Sequence, residues 1–157
     1  MYRLHVIDRV PASRSSTRWL AERLSEAPLF ACVGPRDLAH LAAEATRLVY
    51  REGETVVAQG QQGIGFYVIL DGCAAVSVDG ELRRALNAGD SFGELCLVGE
   101  RRRSATVVAA TDLDCAVLTA WDFRPFLEAH PCVADSLAEQ IARYRADETA
   151  GLEGDYS

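Results

Sequence analysis

The sequence predicts a mainly β fold, a double-stranded β-helix (jelly-roll) barrel with helices flanking it on both sides. Three observations carry that expectation. The chain has 157 residues, 49% hydrophobic and 25% charged, which suits one globular domain with a real core. Between Arg47 and Leu118, short apolar runs are interrupted by Gly at close intervals, as many short strands with tight turns require. Before and after that stretch, apolar residues recur at the spacing of a helix.

The elements follow in chain order. Ser15 or Ser16 is placed to cap a short helix carrying Trp19, Leu20 and Leu24, and Pro28 breaks it. Gly34-Pro35 opens a second helix with Leu38, Leu41 and Ala42 on one face and Ala45 beyond. Strands are expected at 55–58, 66–70, 73–78 and 107–109, with Asp71-Gly72 and Asp79-Gly80 as two-residue turn signals. Ser91-Phe92 leads into a different element. A short helix spans 121–129 and ends before Pro131, with Pro125 in about its first turn, where proline is tolerated. Val133, Leu137, Ile141 and Tyr144 then form the stripe of a last helix, packed on the barrel or on a twin subunit. From Glu148 the chain is polar and contains Gly, so it is expected to fray.

Composition narrows the function. Sixteen basic residues, all Arg, stand against 23 acidic ones, for a net charge of -7. An acidic chain repels polyphosphate, which disfavours general nucleic-acid binding; a single pocket for a small anion answers to local charge instead. No apolar run approaches the roughly 18 residues of a membrane span. Met1 to Val10 carries His5, Asp8 and two Arg, unlike a signal-peptide core, so the expected location is cytoplasmic. The five cysteines (Cys32, Cys73, Cys96, Cys115 and Cys132) are odd in number and lack a C-x-x-C pair. Reduced, mostly buried thiols are expected, not disulfides or a zinc site. His5, His40 and His130 stand alone, and no His lies between Arg47 and Leu118. A metal-dependent barrel enzyme would lack its ligands.

Chemistry concentrates between Ser91 and Thr106. A strand ends at Phe92, and Gly93 lets the backbone approach a ligand closely. Glu94-Leu95-Cys96-Leu97 is read as one helical turn whose free N–H groups suit an anion. Arg103 stands nine positions after Glu94. A carboxylate, backbone donors and a guanidinium around one cavity suit a ligand with hydroxyls at one end and a phosphate at the other. Arg grips phosphate through two parallel charge-assisted bonds, which Lys cannot form. A structural ion pair between Glu94 and Arg103 is the bland alternative. Arg101 and Arg102 read as solvated loop charges. Gly53, Gly60, Gly63 and Gly72 read as turn residues that bear on fold alone.

This stretch resembles the phosphate-binding cassette of the cyclic nucleotide-binding domain family, F-G-E-x-A-L, a short insert, then R-x-A-T/S. Here the pattern is Phe92-Gly93-Glu94-Leu95-Cys96-Leu97 and Arg103-Ser104-Ala105-Thr106. A second family pattern lies upstream, in Gly53-Glu54 through Gly60 and in Gly63 through Phe66-Tyr67 to Gly72. Pro28-Leu29-Phe30 and Trp121-Asp122-Phe123 also fit, so the similarity covers roughly residues 28 to 145. The resemblance implies a stand-alone, bacterial-like member divided into an N-terminal extension and short helix (1–27), the cyclic nucleotide-binding domain (28–147) and a disordered tail (148–157) with the C-terminal helix as a lid.

The resemblance also implies roles. Glu94 would accept a hydrogen bond from the ribose 2′-hydroxyl, and Arg103 would pair with the cyclic phosphate. Backbone N–H groups near Leu95, Cys96 and Ser104 would share that phosphate, with Gly93 against the ribose. The Ser104 hydroxyl would add a bond to the phosphate or base. Tyr144 or Ile141 would cover the base, since an aromatic face stacks on a purine. Two departures stand out. Cys96 replaces the usual Ala but keeps its N–H, and Gln61 replaces a frequent acidic residue in a loop expected to lie away from the cassette. Ser104 occurs in both cAMP- and cGMP-binding relatives, and the reading leans to cAMP.

The function implied is a non-catalytic cyclic nucleotide receptor that regulates an unidentified effector protein by moving its C-terminal helix. It needs no cofactor beyond the ligand. The alternative is an adaptor that keeps the fold without the ligand. Too few residues follow the last helix for a helix-turn-helix module, so DNA binding is not expected. The apolar stripe leaves room for a homodimer through the C-terminal helix.

Overall fold

Helices open the described chain. The computed structural model describes the backbone of residues 14–99 and 102–154 and the side chains of 17–99 and 102–146. His5, Arg101 and residues 1–10 lie outside the described residues. The first helix, α1 (Arg14–Ser25), is already helical at Arg14, so Ser15 and Ser16 fall inside its first turn instead of capping it. Leu20 and Leu24, four apart and so on one face, are buried. A 3-10 turn (Pro28–Phe30) follows and buries Leu29 and Phe30. Helix α2 (Pro35–Glu44) begins on Pro35, where the missing N–H would have had no partner in the helix.

Eight strands come next: β1 (Thr46–Tyr50), β2 (Thr55–Val57), β3 (Gly65–Asp71), β4 (Cys73–Val78), β5 (Glu81–Asn87), β6 (Ser91–Phe92), β7 (Thr106–Ala109) and β8 (Leu113–Thr119). They form two antiparallel four-stranded sheets, ordered β1-β8-β3-β6 and β2-β7-β4-β5. Asp79 and Gly80 both take positive φ (53° and 80°) and close the β4–β5 hairpin, as their dipeptide predicts. Asp71-Gly72 does something else. It joins β3 to β4, which lie in different sheets, so it turns a corner of the sandwich. A Cβ on Gly72 would stand 2.2 Å from the Asp112 carbonyl oxygen.

Strands β1, β5 and β8 are those the apolar-run pattern does not pick out. β8 is central in its sheet, paired to both β1 and β3. Asp114 interrupts its apolar run, and Arg47 of β1 holds that carboxylate by Nε to Oδ1 (2.9 Å) and Nη2 to Oδ2 (2.5 Å). β5 carries adjacent Arg83 and Arg84 and buries only Leu86, so its pairing with β4 defines it more than its composition does.

The interior has two parts. One lies between the helices and the first sheet, around Leu24, Phe30, Phe66, Leu118, Phe123 and Val133. Phe66 and Phe123 stack there with ring centroids 4.9 Å apart. The other lies between the two sheets, around Ile69, Val76, Leu86, Phe92, Val107 and Cys115. Arg23 of α1 donates to the Leu70 carbonyl of β3 and ties the helical layer down.

Helix α3 (Ala120–Ala129) starts at Thr119, whose hydroxyl accepts the Asp122 N–H at 3.3 Å. Pro125 falls inside this helix, past its first turn, because the helix begins at Ala120. Helix α4 (Pro131–Gly154) continues through the polar stretch from Glu148. Its stripe packs on this chain: Val133 and Leu137 are buried in the helical core, and Ile141 packs against it. No described helix is long and apolar enough to cross a membrane.

The cysteines correct the sequence reading in part. Cys96 and Cys115 are buried free thiols and Cys73 is a half-buried one, but Cys32 and Cys132 form a disulfide across a separation of 100 residues. Spacing could not reveal this pair. The fold brings the end of the first 3-10 turn beside the first turn of α4, with the two Cα atoms 6.5 Å apart.

Candidate functional site

The cassette is built between two sheets. β6 ends at Phe92 in the first sheet, and β7 resumes at Thr106 in the second. The chain must therefore cross over, and Gly93 starts the crossing in the left-handed region (φ 84°). A second 3-10 segment (Glu94–Val98) follows, as the expected helical turn, and Gly99 (φ 94°) ends it with its N–H on the Leu95 carbonyl. Glu94 is buried at 6% exposure and Cys96 at 7%. A buried carboxylate within a loop is costly unless something answers it.

Arg103 is fixed from several sides. Its backbone N–H donates to the Gln61 carbonyl at 2.7 Å, and its carbonyl accepts the Gly60 N–H at 2.8 Å. Nη1 donates to the Gly65 carbonyl at 3.0 Å, and the guanidinium lies 5.8 Å from the Tyr67 ring centre. Two expectations change here. The Gln61 loop is paired directly with the Arg103 backbone and does not lie away from the cassette. Gly63 bears on the site as well as the fold: a Cβ there would stand 2.4 Å from Arg103 Nε and 2.6 Å from Nη2. A Cβ on Gly93 would meet the Gly65 carbonyl oxygen at 2.6 Å and Arg103 Nη1 at 2.8 Å. Absent side chains at these glycines make the slot in which the guanidinium sits. Arg102, exposed as expected, still donates to the Gly60 carbonyl at 2.9 Å.

Six of the seven residues expected at the site, Gly93, Glu94, Leu95, Cys96, Arg103 and Ser104, line one small cavity together with Arg102. Gly93, Glu94, Leu95 and Ser104 also line a larger adjoining cavity, which Arg103 does not reach. Val76, Leu86 and Val107 of the second sheet form its apolar floor, and Tyr144 and Ile141 of α4 cover it, so the seventh expected residue arrives from the far end of the chain. The larger cavity offers about 60 Å³ to water-sized groups. Small-molecule sites commonly hold roughly 300 Å³ or more, so under its present cover this cavity is smaller than a site for a nucleotide-sized ligand.

Three residues near the cavities escape sequence reasoning. Arg84 lines the larger cavity and its guanidinium lies 4.0 Å over the Tyr144 ring. Once β5 is known to be a strand, Leu86 facing inward puts Arg84 on the same face, which is the one signal that finds it. Gln140 of α4 donates to Ser91 Oγ at 2.7 Å, and Arg124 of α3 donates to the Cys96 carbonyl at 3.3 Å. Neither carries a local sequence signal.

Electrostatics around the cassette follow burial. Burial pushes the Cys96 thiol up, against the pull of the nearby Arg103 charge, so the sulfur stays protonated. Burial also raises the Tyr144 phenol, and the Glu94 charge adds to that rise. Burial raises Tyr67 while Arg103 opposes it.

Fold and site together define a domain of two antiparallel sheets, with a glycine-lined slot for Arg103 in the crossing between them and a helical cover over the adjoining cavity. The model of the cyclic nucleotide-binding domain family matches residues 47–130, and the chain belongs to that family. It is 34% identical over 107 residues to the cAMP-dependent protein kinase regulatory subunit of Aspergillus niger, covering 66% of this chain and 26% of that one. It is 29% identical over 117 residues to the cGMP-dependent 3′,5′-cGMP phosphodiesterase A of Dictyostelium discoideum, covering 74% of this chain and 13% of that one. The chain thus spans about a quarter of the first of these relatives and about an eighth of the second. Among solved structures, the Thermus thermophilus catabolite activator protein superposes with a TM-score of 0.69 at 28% identity, over 81% of this chain and 62% of that one. The regulatory domain of Toxoplasma gondii PKA with cAMP superposes at 0.74 and 24% identity, over 83% of this chain and 51% of that one, a likeness of fold.

Proposed function

We propose that this chain is a non-catalytic receptor for a cyclic nucleotide, cAMP in preference to cGMP, which regulates a partner protein through movement of α4. The observation that supports this most is the gathering of Glu94, Arg103 and the Gly93–Cys96 backbone around one cavity, beside a second covered by Tyr144 and Ile141. In this reading Glu94 accepts the ribose 2′-hydroxyl, Arg103 leaves the Gly65 carbonyl to pair with the phosphate, and Tyr144 lies over the base. Backbone N–H groups near Leu95, Cys96 and Ser104 complete the phosphate contacts, and Gly93 lies against the ribose. The cover must open to admit ligand and close upon it, and that displacement of α4 is the output. Its size is limited by the difference in ligand affinity between the two helix positions.

A cytoplasmic location fits a receptor for an intracellular second messenger. A homodimer through α4 has less support than its stripe promised, since Val133 and Leu137 are spent on this chain's own core. The adaptor reading draws on one observation, the narrowness of the larger cavity. Isothermal titration with cAMP and cGMP separates the two. Saturable heat with tighter binding of cAMP supports the receptor. No heat and no thermal shift at millimolar nucleotide leaves the adaptor.

A further inference from the structure

Helix α4 is held at two places, and they differ in kind. At the cavity, Gln140 donates to Ser91 and the Tyr144 ring lies under the Arg84 guanidinium. At its first turn, α4 is tied to the N-terminal helical layer. Cys132 is bonded to Cys32, and His130 just before the helix reaches Asp37 of α2 (Nε2 to Oδ2, 3.1 Å). Cys132 and Tyr144 are twelve residues apart, roughly 18 Å along a helix. The disulfide therefore sits at the root of the lever whose far part covers the nucleotide cavity.

Both bonded cysteines are exposed, whereas Cys96 and Cys115 are buried. Soluble thiols reach the pair and not the buried sulfurs. In a reducing compartment, disulfides are uncommon, and those that occur are usually transient and redox-sensing.

We propose that the Cys32–Cys132 bond is a redox latch on the nucleotide lid: made, it holds the root of α4 against the N-terminal helices and keeps Tyr144 and Ile141 over the cavity; broken, it frees the lid. The chemistry is thiol–disulfide exchange. Two glutathione-type thiols give up two electrons, and their protons pass to the two released cysteine sulfurs, while the glutathione becomes its disulfide; oxidation runs the same step backwards. The latch rests on the receptor reading only for its effect on affinity. With the lid held over a cavity of about 60 Å³, a nucleotide must displace it to enter, so the oxidised chain binds more weakly. If reduction raises the open, binding-competent population about three- to tenfold, the apparent Kd falls by the same factor.

The test uses the full chain, equilibrated with oxidised glutathione or with a phosphine reductant. Thiol alkylation and mass spectrometry count the bonded cysteines. Titration with cAMP reads affinity, and hydrogen exchange reads α4 with no ligand added. The expected results are a bonded Cys32–Cys132 pair in the oxidised chain, a three- to tenfold lower Kd on reduction, and faster exchange over 133–144. Cys32→Ser and Cys132→Ser, each in oxidising buffer, should match the reduced chain and ignore the reductant. Alkylation of both sulfurs in the oxidised chain overturns the latch, as does α4 exchange that is the same in both redox states. Binding that is equal in both states overturns its effect on the ligand. Should cAMP and cGMP bind in neither state, the receptor reading falls, and the exchange measurement still decides the latch.

Discussion

Replacing Arg103 by Ala tests the site most directly. Two charge-assisted hydrogen bonds from a guanidinium to a phosphate contribute about 3–5 kcal/mol together. The guanidinium does not come to the ligand unengaged, because Nη1 already donates to the Gly65 carbonyl at 3.0 Å. Giving up that bond offsets about 1 kcal/mol. The net loss expected for Arg103→Ala is then about 2–4 kcal/mol, or about 30- to 1,000-fold in Kd. The fold should survive. The bonds that anchor this position to Gln61 and Gly60 belong to the backbone and remain in the variant. Calorimetric titration with cAMP measures the loss, and thermal unfolding confirms the fold. A variant that melts normally and binds within about threefold of the parent would refute the assignment of the phosphate to Arg103.

Gly63→Ala should weaken nucleotide binding about tenfold with little change in Tm, since the new Cβ lies 2.4–2.7 Å from three guanidinium atoms that can swing aside; unchanged affinity would show that the slot does not position Arg103. Phe123→Ala should cost about 3–5 kcal/mol in urea unfolding, because Phe123 is fully buried and stacked on Phe66; a loss under about 1 kcal/mol would contradict the helical core. The hydrogen bond to Asp37, with the Phe126 carbonyl adding to it, raises His130 above its ordinary 6.5. Stability from this pair is complete below about pH 6.5 and is lost as pH rises through the raised value. Melting curves from pH 5 to 9 should show that decline, and Asp37→Asn should flatten it; an identical profile in the variant would remove the pair from the account.

The cassette could be read in advance because it is local. Gly93 through Gly99 form one short stretch whose backbone conformation is set by near neighbours, and the expected helical turn is present, as a 3-10 segment that begins at a left-handed Gly93. The helices around Leu20, Leu38 and Leu137 were likewise visible, since burial of one face imposes a period that a sequence cannot hide. Strands without that imprint stayed hidden: β8 carries Asp114 as its second residue, and Arg47, from another strand, answers the charge. Contacts between distant segments were invisible for the same reason. Nothing near Cys32 announces Cys132, nothing near Arg84 announces Tyr144, and Gln61 meets Arg103 only because two loops close on each other. Side-chain chemistry and local periodicity are carried by neighbouring residues, whereas which surfaces meet is settled by how the sheets and helices pack as one body.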